Sequence, residues 1–296
     1  DSSTSRGLGD VYKRQGSNSA RPRSRVWCSS PAICSKRPQR RRSFSRCDAR
    51  TPGRSPRVRS QRPHPSVRSE TAVGSISLDG VAVEREGRAI LRDVSVELTA
   101  QRIAVIGANG SGKSTFARLL NGLVLPDAGR VTVHDLDSRR DTKALRRRVG
   151  FVFTDPQSQI LMPTPAEDLA LSLRGSPRTE IASRVAGALA EHGLTDRADV
   201  PASDLSGGQK QLLALASVLI AEPRLIVADE PTTLLDLRNS RRVSDLLLAL
   251  PSQVVIVTHD LDLAARCDHA VLFDAGSLIA AGTPDEVIAE YRGRCG

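Results

Sequence analysis

Gly107-Ala108-Asn109-Gly110-Ser111-Gly112-Lys113-Ser114, with Thr115 behind it, is the stretch around which this chain organises. An apolar run, Arg102 to Ile106, leads into it, and an amphipathic stretch from Lys113 to about Gly122 leads out, so the order is strand, glycine-rich loop, helix. That context matches a P-loop. Glycines let successive backbone N–H groups turn inward on phosphates, and the helix N-terminus adds its positive end. Lys113 is then expected to reach the β- and γ-phosphates of a bound ATP, and Ser114 to offer its hydroxyl to Mg²⁺. At ordinary residue frequencies the pattern arises by chance in about one chain in a hundred of this length. The flanking strand and helix make a chance match rarer still.

Outward from the loop, strands alternate with helices. Ser75 to Val83 and Ile90 to Leu98 read as paired strands around a Glu86-Gly87-Arg88 turn, and Arg130 to Val133 and Val149 to Phe153 as further strands. Pro156, Pro163 and Pro165 precede helical stretches at about Ala166 to Leu173 and Arg178 to His192. Gln209 to Ala221 and Arg238 to Leu250 read as helices, each leading into a buried strand, Leu225 to Ala228 and Val254 to Val257. His269 to Phe273 and Ser277 to Ala280 turn at Gly276, and Pro284 opens a last helix. This predicts an α/β fold with a mostly parallel sheet covered on both faces, an antiparallel β subdomain at the start and an α-helical subdomain over about 160–221.

Two further motifs carry chemistry. Leu225-Ile226-Val227-Ala228-Asp229-Glu230 is an apolar run ending in two carboxylates, 116 residues after Lys113. Alone it would pass as a strand end with a solvated acidic turn. Following a P-loop, it predicts Asp229 at the Mg²⁺ site and Glu230 one residue beyond, placed to polarise an attacking water. Leu205-Ser206-Gly207-Gly208-Gln209 precedes a helix and by itself would be only a turn with a serine cap.

Taken together, these motifs, with Asp236 in Leu234-Leu235-Asp236 and His259 in Thr258-His259-Asp260, resemble those of the ATP-binding cassette (ABC) family from about Ser75 to the C-terminus. The resemblance implies a P-loop NTPase cassette that hydrolyses Mg-ATP. It further implies that Leu205 to Gln209 form a signature capping the γ-phosphate held by the Lys113 of a second ATPase subunit, so that ATP drives dimerisation. Asp236 corresponds to the D-loop at that interface and His259 to the switch histidine at the γ-phosphate. The catalytic set is then Glu230, His259 and Lys113.

Two departures stand out. The family places a glutamine directly after the strand corresponding to Val149 to Phe153, where this chain has Thr154 and only later Gln159. An aromatic is usual against the adenine; here Val83, Glu84 and Arg85 occupy that region, and Arg85 is the candidate to stack on the base. Within the family, Phe153-Thr-Asp-Pro-Gln-Ser-Gln-Ile-Leu-Met-Pro-Thr164 followed by Glu167-Asp168 resembles the ATPases of energy-coupling factor (ECF) importers, most of all the biotin-importer subunit. Cobalt, nickel or another vitamin stays open as cargo. The resemblance implies integral membrane coupling and substrate-binding subunits on other chains and a peripheral position on the cytoplasmic face. Ile160, Leu161 and Met162 are candidates either to meet such a partner or to pack inward. A soluble ABC ATPase acting on nucleic acid is the competing class, but only 92 residues separate Lys113 from Leu205 and they show no sustained heptad. No nucleic-acid partner is expected.

Charge and composition agree. The chain of 296 residues carries a net charge of +10, yet residues 1–74 hold 18 of the 43 Lys and Arg and 4 of the 33 Asp and Glu. The basicity therefore belongs to an Arg-, Ser- and Pro-rich segment without apolar periodicity, and residues 75–296 are mildly acidic. Asp10 to Gln15 resembles the translation of a transposon end used in sequencing libraries, and the expectation is that 1–74 is a disordered or non-native tail. Cys28, Cys34, Cys47, Cys267 and Cys295 lack metal-ligand spacing, and the apolar runs are too short to span a bilayer.

Overall fold

The computed structural model describes residues 74–295; residues 1–73, on which the expected tail falls, and Gly296 lie outside the described residues. The chain opens with β1 (Ile76–Arg85), β2 (Arg88–Leu98) and β3 (Arg102–Gly107), then α1 (Lys113–Leu120), β4 (Ala128–Val133), β5 (Leu136–Asp137), α2 (Thr142–Arg148) and β6 (Val149–Val152). Helices α3 (Pro165–Ser172), α4 (Arg178–Glu191) and α5 (Gly207–Leu219) follow with no strand among them. Then come β7 (Leu225–Asp229), α6 (Leu237–Ala249), β8 (Gln253–Val257), α7 (Leu261–Ala265), β9 (His269–Asp274), β10 (Ser277–Gly282) and α8 (Pro284–Cys295).

Two sheets result. An antiparallel sheet runs β2-β1-β4-β5, and a six-stranded sheet runs β10-β9-β3-β8-β7-β6, parallel except where β10 pairs antiparallel with β9. Side-chain alternation splits the second sheet between two cores. Ala104, Ile106, Ile226, Ala228, Val254 and Ile256 face α5 and α6, whereas Ile103, Val105, Leu225, Val227, Val255 and Val257 face α1 and the antiparallel sheet. Every residue of β7 and β8 is buried, as a strand covered on both faces requires. Fully burying a Leu, Ile or Val side chain contributes about 1.5–3 kcal/mol, so these two strands anchor the site that follows them.

The predicted strands and helices are present within a residue or two at most ends. Three elements escape the periodicity argument. Strand β5 has two residues and α7 five, too short for a pattern, and α2 buries only Leu145 among charged neighbours, so it has no apolar stripe to read.

Candidate nucleotide-binding and catalytic site

Strands β3, β6, β7 and β8 deliver their C-terminal ends to one edge of the sheet, where ligands of open α/β sheets collect. At the end of β3, Gly107 has φ 140°, and a Cβ there would collide with the Phe273 carbonyl oxygen. Gly112, with φ 103°, caps α1 without any side-chain hydrogen bond, so the first-turn N–H groups of α1 face the loop uncapped. Ala108, Asn109 and Gly110 are exposed at the loop tip, and Thr115 is half-buried in the first turn of α1. The Ser111 hydroxyl is buried with no partner among the described residues. A loop with uncapped donors and an orphaned hydroxyl fits an anion.

Lys113 folds back into the loop, its Nζ donating to the carbonyls of Gly107 at 2.8 Å and Ala108 at 2.9 Å. Burial pulls its pKa below the ordinary lysine value, opposed by the negative charges of Glu230 and Asp229. Across from it, Ser114 Oγ donates to Asp229 Oδ1 at 2.9 Å. Burial raises the Asp229 carboxyl above its usual range, although the Ser114 hydrogen bond and the Arg118 guanidinium pull the other way. A half-buried hydroxyl beside a buried carboxylate is a hard-oxygen donor set, and a carboxylate held in poor solvation gains most from a cation. The residues thus fit a small divalent cation.

Glu230 follows Asp229 with φ 53°, a left-handed conformation uncommon for a side chain of this size and of the kind that concentrates at functional sites. Its Oε2 accepts from His259 Nδ1 at 2.6 Å and from Thr233 Oγ1 at 2.9 Å. His259 reaches it from the end of β8, and the N–H of Glu230 is fixed to the Val257 carbonyl. One carboxylate oxygen is therefore engaged on two sides.

The remaining candidates are placed as follows. Ser206 caps α5 in a reciprocal capping box with Gln209, leaving Ser206 and Gly207 exposed while Leu205 is buried. Among the described hydrogen bonds none joins Leu205 to Gln209 with the loop 107–114. Asp236 caps α6 and holds Asn239, whose amide fills the space that a Cβ on Gly208 would need. Leu234 and Leu237, on either side of Asp236, are exposed. Arg85 is exposed, donating to the Glu84 carbonyl and to Asp127. Thr154 Oγ1 donates to the Asp229 carbonyl at 2.8 Å, while both ends of the Gln159 amide are engaged by backbone elsewhere, so Thr154 is the one of the two that touches the carboxylate strand. Of Ile160, Leu161 and Met162, only Leu161 is exposed, at 73%; Ile160 packs against the core, so inward packing holds for that residue. Two contributors went unread in the sequence. Arg118 approaches Asp229 Oδ2 at 3.9 Å, and its position four residues after Ser114 on the same helix face was the available signal. Thr233, three residues after Glu230, carried no pattern of its own.

The ABC transporter profile matches residues 91–233. The biotin transport ATP-binding protein BioM of Rhizobium etli is 42% identical over 220 residues, covering 74% of this chain and 98% of that one. The nickel import ATP-binding protein NikO of Rhodobacter capsulatus is 40% identical over 233 residues, covering 73% and 91%. Among solved structures, cbiO1 of Clostridium perfringens, part of the ABC transporter complex cbiONQ, superposes with a TM-score of 0.66 at 30% identity over 76% of this chain and 94% of that one. The chain belongs to the ABC transporter family, as an ATP-binding subunit that hydrolyses ATP. Among the described residues no helix is long and apolar enough to cross a membrane.

Proposed function

We propose that this subunit energises an ECF-type importer, that it works at the cytoplasmic face of the membrane as one half of an ATP-sandwich dimer, and that its cargo is a vitamin, biotin in the first instance. The observation that carries the mechanism is the doubly held Glu230 carboxylate beside the Ser114–Asp229 pair. The loop amides and Lys113 bind the phosphates, Lys113 exchanging its carbonyl partners for phosphate oxygens. Ser114 and Asp229 would hold Mg²⁺, which when bound neutralises charge on the phosphates. With Oε2 fixed by His259 and Thr233, Oε1 of Glu230 is the oxygen left to take a proton from the attacking water. Ser206 to Gly208 of a second copy complete the site, consistent with the exposure of Ser206 and Gly207. Biotin is favoured by the likeness to BioM, and NikO is nearly as similar, which makes nickel the alternative to test against.

Leu161 is the residue best suited to a membrane partner, because it is exposed on a loop whose backbone is held by the buried carboxylate of Asp168, Oδ1 accepting from the N–H groups of Leu161 and Met162. Co-expression with a coupling and a substrate-binding membrane subunit should give ATP-dependent uptake of biotin and not of nickel. Leu161→Asp should abolish that uptake and co-purification of the subunits while leaving the ATPase rate of the isolated chain within about two-fold. Nickel uptake in the wild-type complex would replace the cargo, and full biotin uptake by Leu161→Asp would refute the docking residue.

A further inference from the structure

A chain of side-chain-to-backbone hydrogen bonds runs from the middle of α5 to the carboxylate strand. Gln159 Nε2 donates to the Ala214 carbonyl at 2.8 Å, and Gln159 Oε1 accepts from the Phe153 N–H at 3.1 Å. The next residue, Thr154, donates its hydroxyl to the Asp229 carbonyl at 2.8 Å, and Asp229 accepts from Ser114. Each link ends on main chain or on the site itself. None is a flexible surface pair.

Helix α5 lies close against β6 near its C-terminal end, where a Cβ on Gly150 would collide with Val218. That contact is apolar and tolerates sliding and rotation, whereas hydrogen bonds are directional. Ala214 lies one turn nearer the N-terminus of α5, the end that carries Ser206. Packing at Val218 and the Gln159 bond at Ala214 are two points on one helix face, and together they fix the helix's rotation as well as its position. The Phe153 N–H, just beyond the last ladder residue of β6, is satisfied by the same side chain.

We propose that Gln159 and Thr154 are positioning residues that share one task, clasping the Ser206-bearing helix α5 to the Asp229 strand so that the motif presented to a second subunit is held in register with this subunit's own phosphate site. The proposal rests on the sandwich-dimer reading above. It assigns the work to two residues in a chain that lacks a glutamine directly after β6, and a pull on Leu161 would reach Gln159 first and Thr154 through 155–158.

The test uses the full chain in a Glu230→Gln background, with ATP-dependent dimerisation followed by sedimentation velocity and monomer nucleotide affinity by a fluorescent ATP analogue. Gln159→Leu, which removes both bonds, should weaken dimerisation about ten-fold, and Gln159→Glu, which keeps the acceptor and loses the donor to Ala214, should do nearly the same. Thr154→Val should weaken it about five-fold and Thr154→Ser should restore it. Nucleotide affinity of the monomer should stay within about two-fold throughout, which separates positioning from a general loss of fold. Thr154→Val combined with Gln159→Leu should be scarcely worse than Gln159→Leu alone, because both break one clasp. If Glu230→Gln alone fails to dimerise on ATP, the sandwich reading falls and the clasp with it. If it dimerises and Gln159→Leu does so equally well, or the two single effects simply multiply, the clasp alone is overturned.

Discussion

The phosphate loop and the segment from Thr154 to Leu173 both leave the C-terminal edge of the same sheet, one after β3 and the other after β6, yet they are built in opposite ways. The loop's donors are its own backbone N–H groups, and its shape is set by three glycines, Gly107, Gly110 and Gly112, at φ 140°, 79° and 103°. The second segment is shaped by side chains reaching elsewhere: Gln159 to α5, Thr154 to β7, Asp168 back to the loop at Leu161. Chemistry written in contiguous backbone tolerates little change. Chemistry assembled from scattered side chains can move a task from one residue to another.

The largest effect expected of any single change lies at Glu230, beside the phosphate loop. Glu230→Gln keeps the size of the side chain and its acceptor toward His259 and Thr233 but removes the base, so steady-state hydrolysis should fall about 10²–10⁴-fold while ATP affinity is retained. The variant should accumulate as an ATP-bound dimer. Lys113→Ala should instead lose nucleotide affinity, because it removes the charge the loop is folded around. Wild-type hydrolysis by Glu230→Gln would move the base elsewhere.

A medium effect separates binding from folding. The Asp229 carboxyl has a pKa above its unfolded value because it is buried, so the native protein holds a proton that the unfolded chain has released. Its ionisation therefore costs stability as pH rises from the unfolded carboxylate range to the raised native value, and above that the full penalty persists. Asp229→Asn should accordingly raise the melting temperature of the nucleotide-free protein at neutral pH and lose that advantage below the carboxylate range, where both chains are neutral at this position. Hydrolysis should be lost in the same variant. A fall in melting temperature at pH 7 would show that the Ser114 and Arg118 contacts outweigh the desolvation.

How much of this could be read beforehand follows the same division. The strands β3, β7 and β8 and the residues Lys113, Ser114, Asp229 and Glu230 were legible because continuous apolar runs and a fixed spacing carry them. Helix α2 was not, since one buried leucine makes no stripe. The triplet Ile160, Leu161 and Met162 could not be sorted by type, because all three are apolar and only the turn held by Asp168 decides that Leu161 faces outward. Thr233 and Arg118 reach the site through positions three residues after Glu230 and one helical turn after Ser114, spacings that signify only once the neighbouring group has a role.

The smallest effect concerns Arg85, where the strand-end aromatic usual for the family is missing. Its guanidinium sits at the end of β1, held by the Glu84 carbonyl and by Asp127 at 3.5 Å, and both partners of that ion pair are about half exposed. An exposed pair of this kind contributes at most about 1 kcal/mol to stability, so Arg85→Ala should leave the melting temperature nearly unchanged. A planar cation over the adenine is another matter: stacking of that type is worth about 0.5–1 kcal/mol at an exposed site, which corresponds to a two- to five-fold loss of ATP affinity. Arg85→Lys keeps the charge but not the plane and should lose most of the same affinity, whereas Arg85→Trp should recover it by supplying a ring. The discriminating measurement is the affinity for ATP against that for inorganic triphosphate, which has no base to stack. Equal losses for both ligands in Arg85→Ala would mean that Arg85 acts only through its charge on the phosphates, and the base would then have to find its platform in another residue of the β1–β2 turn.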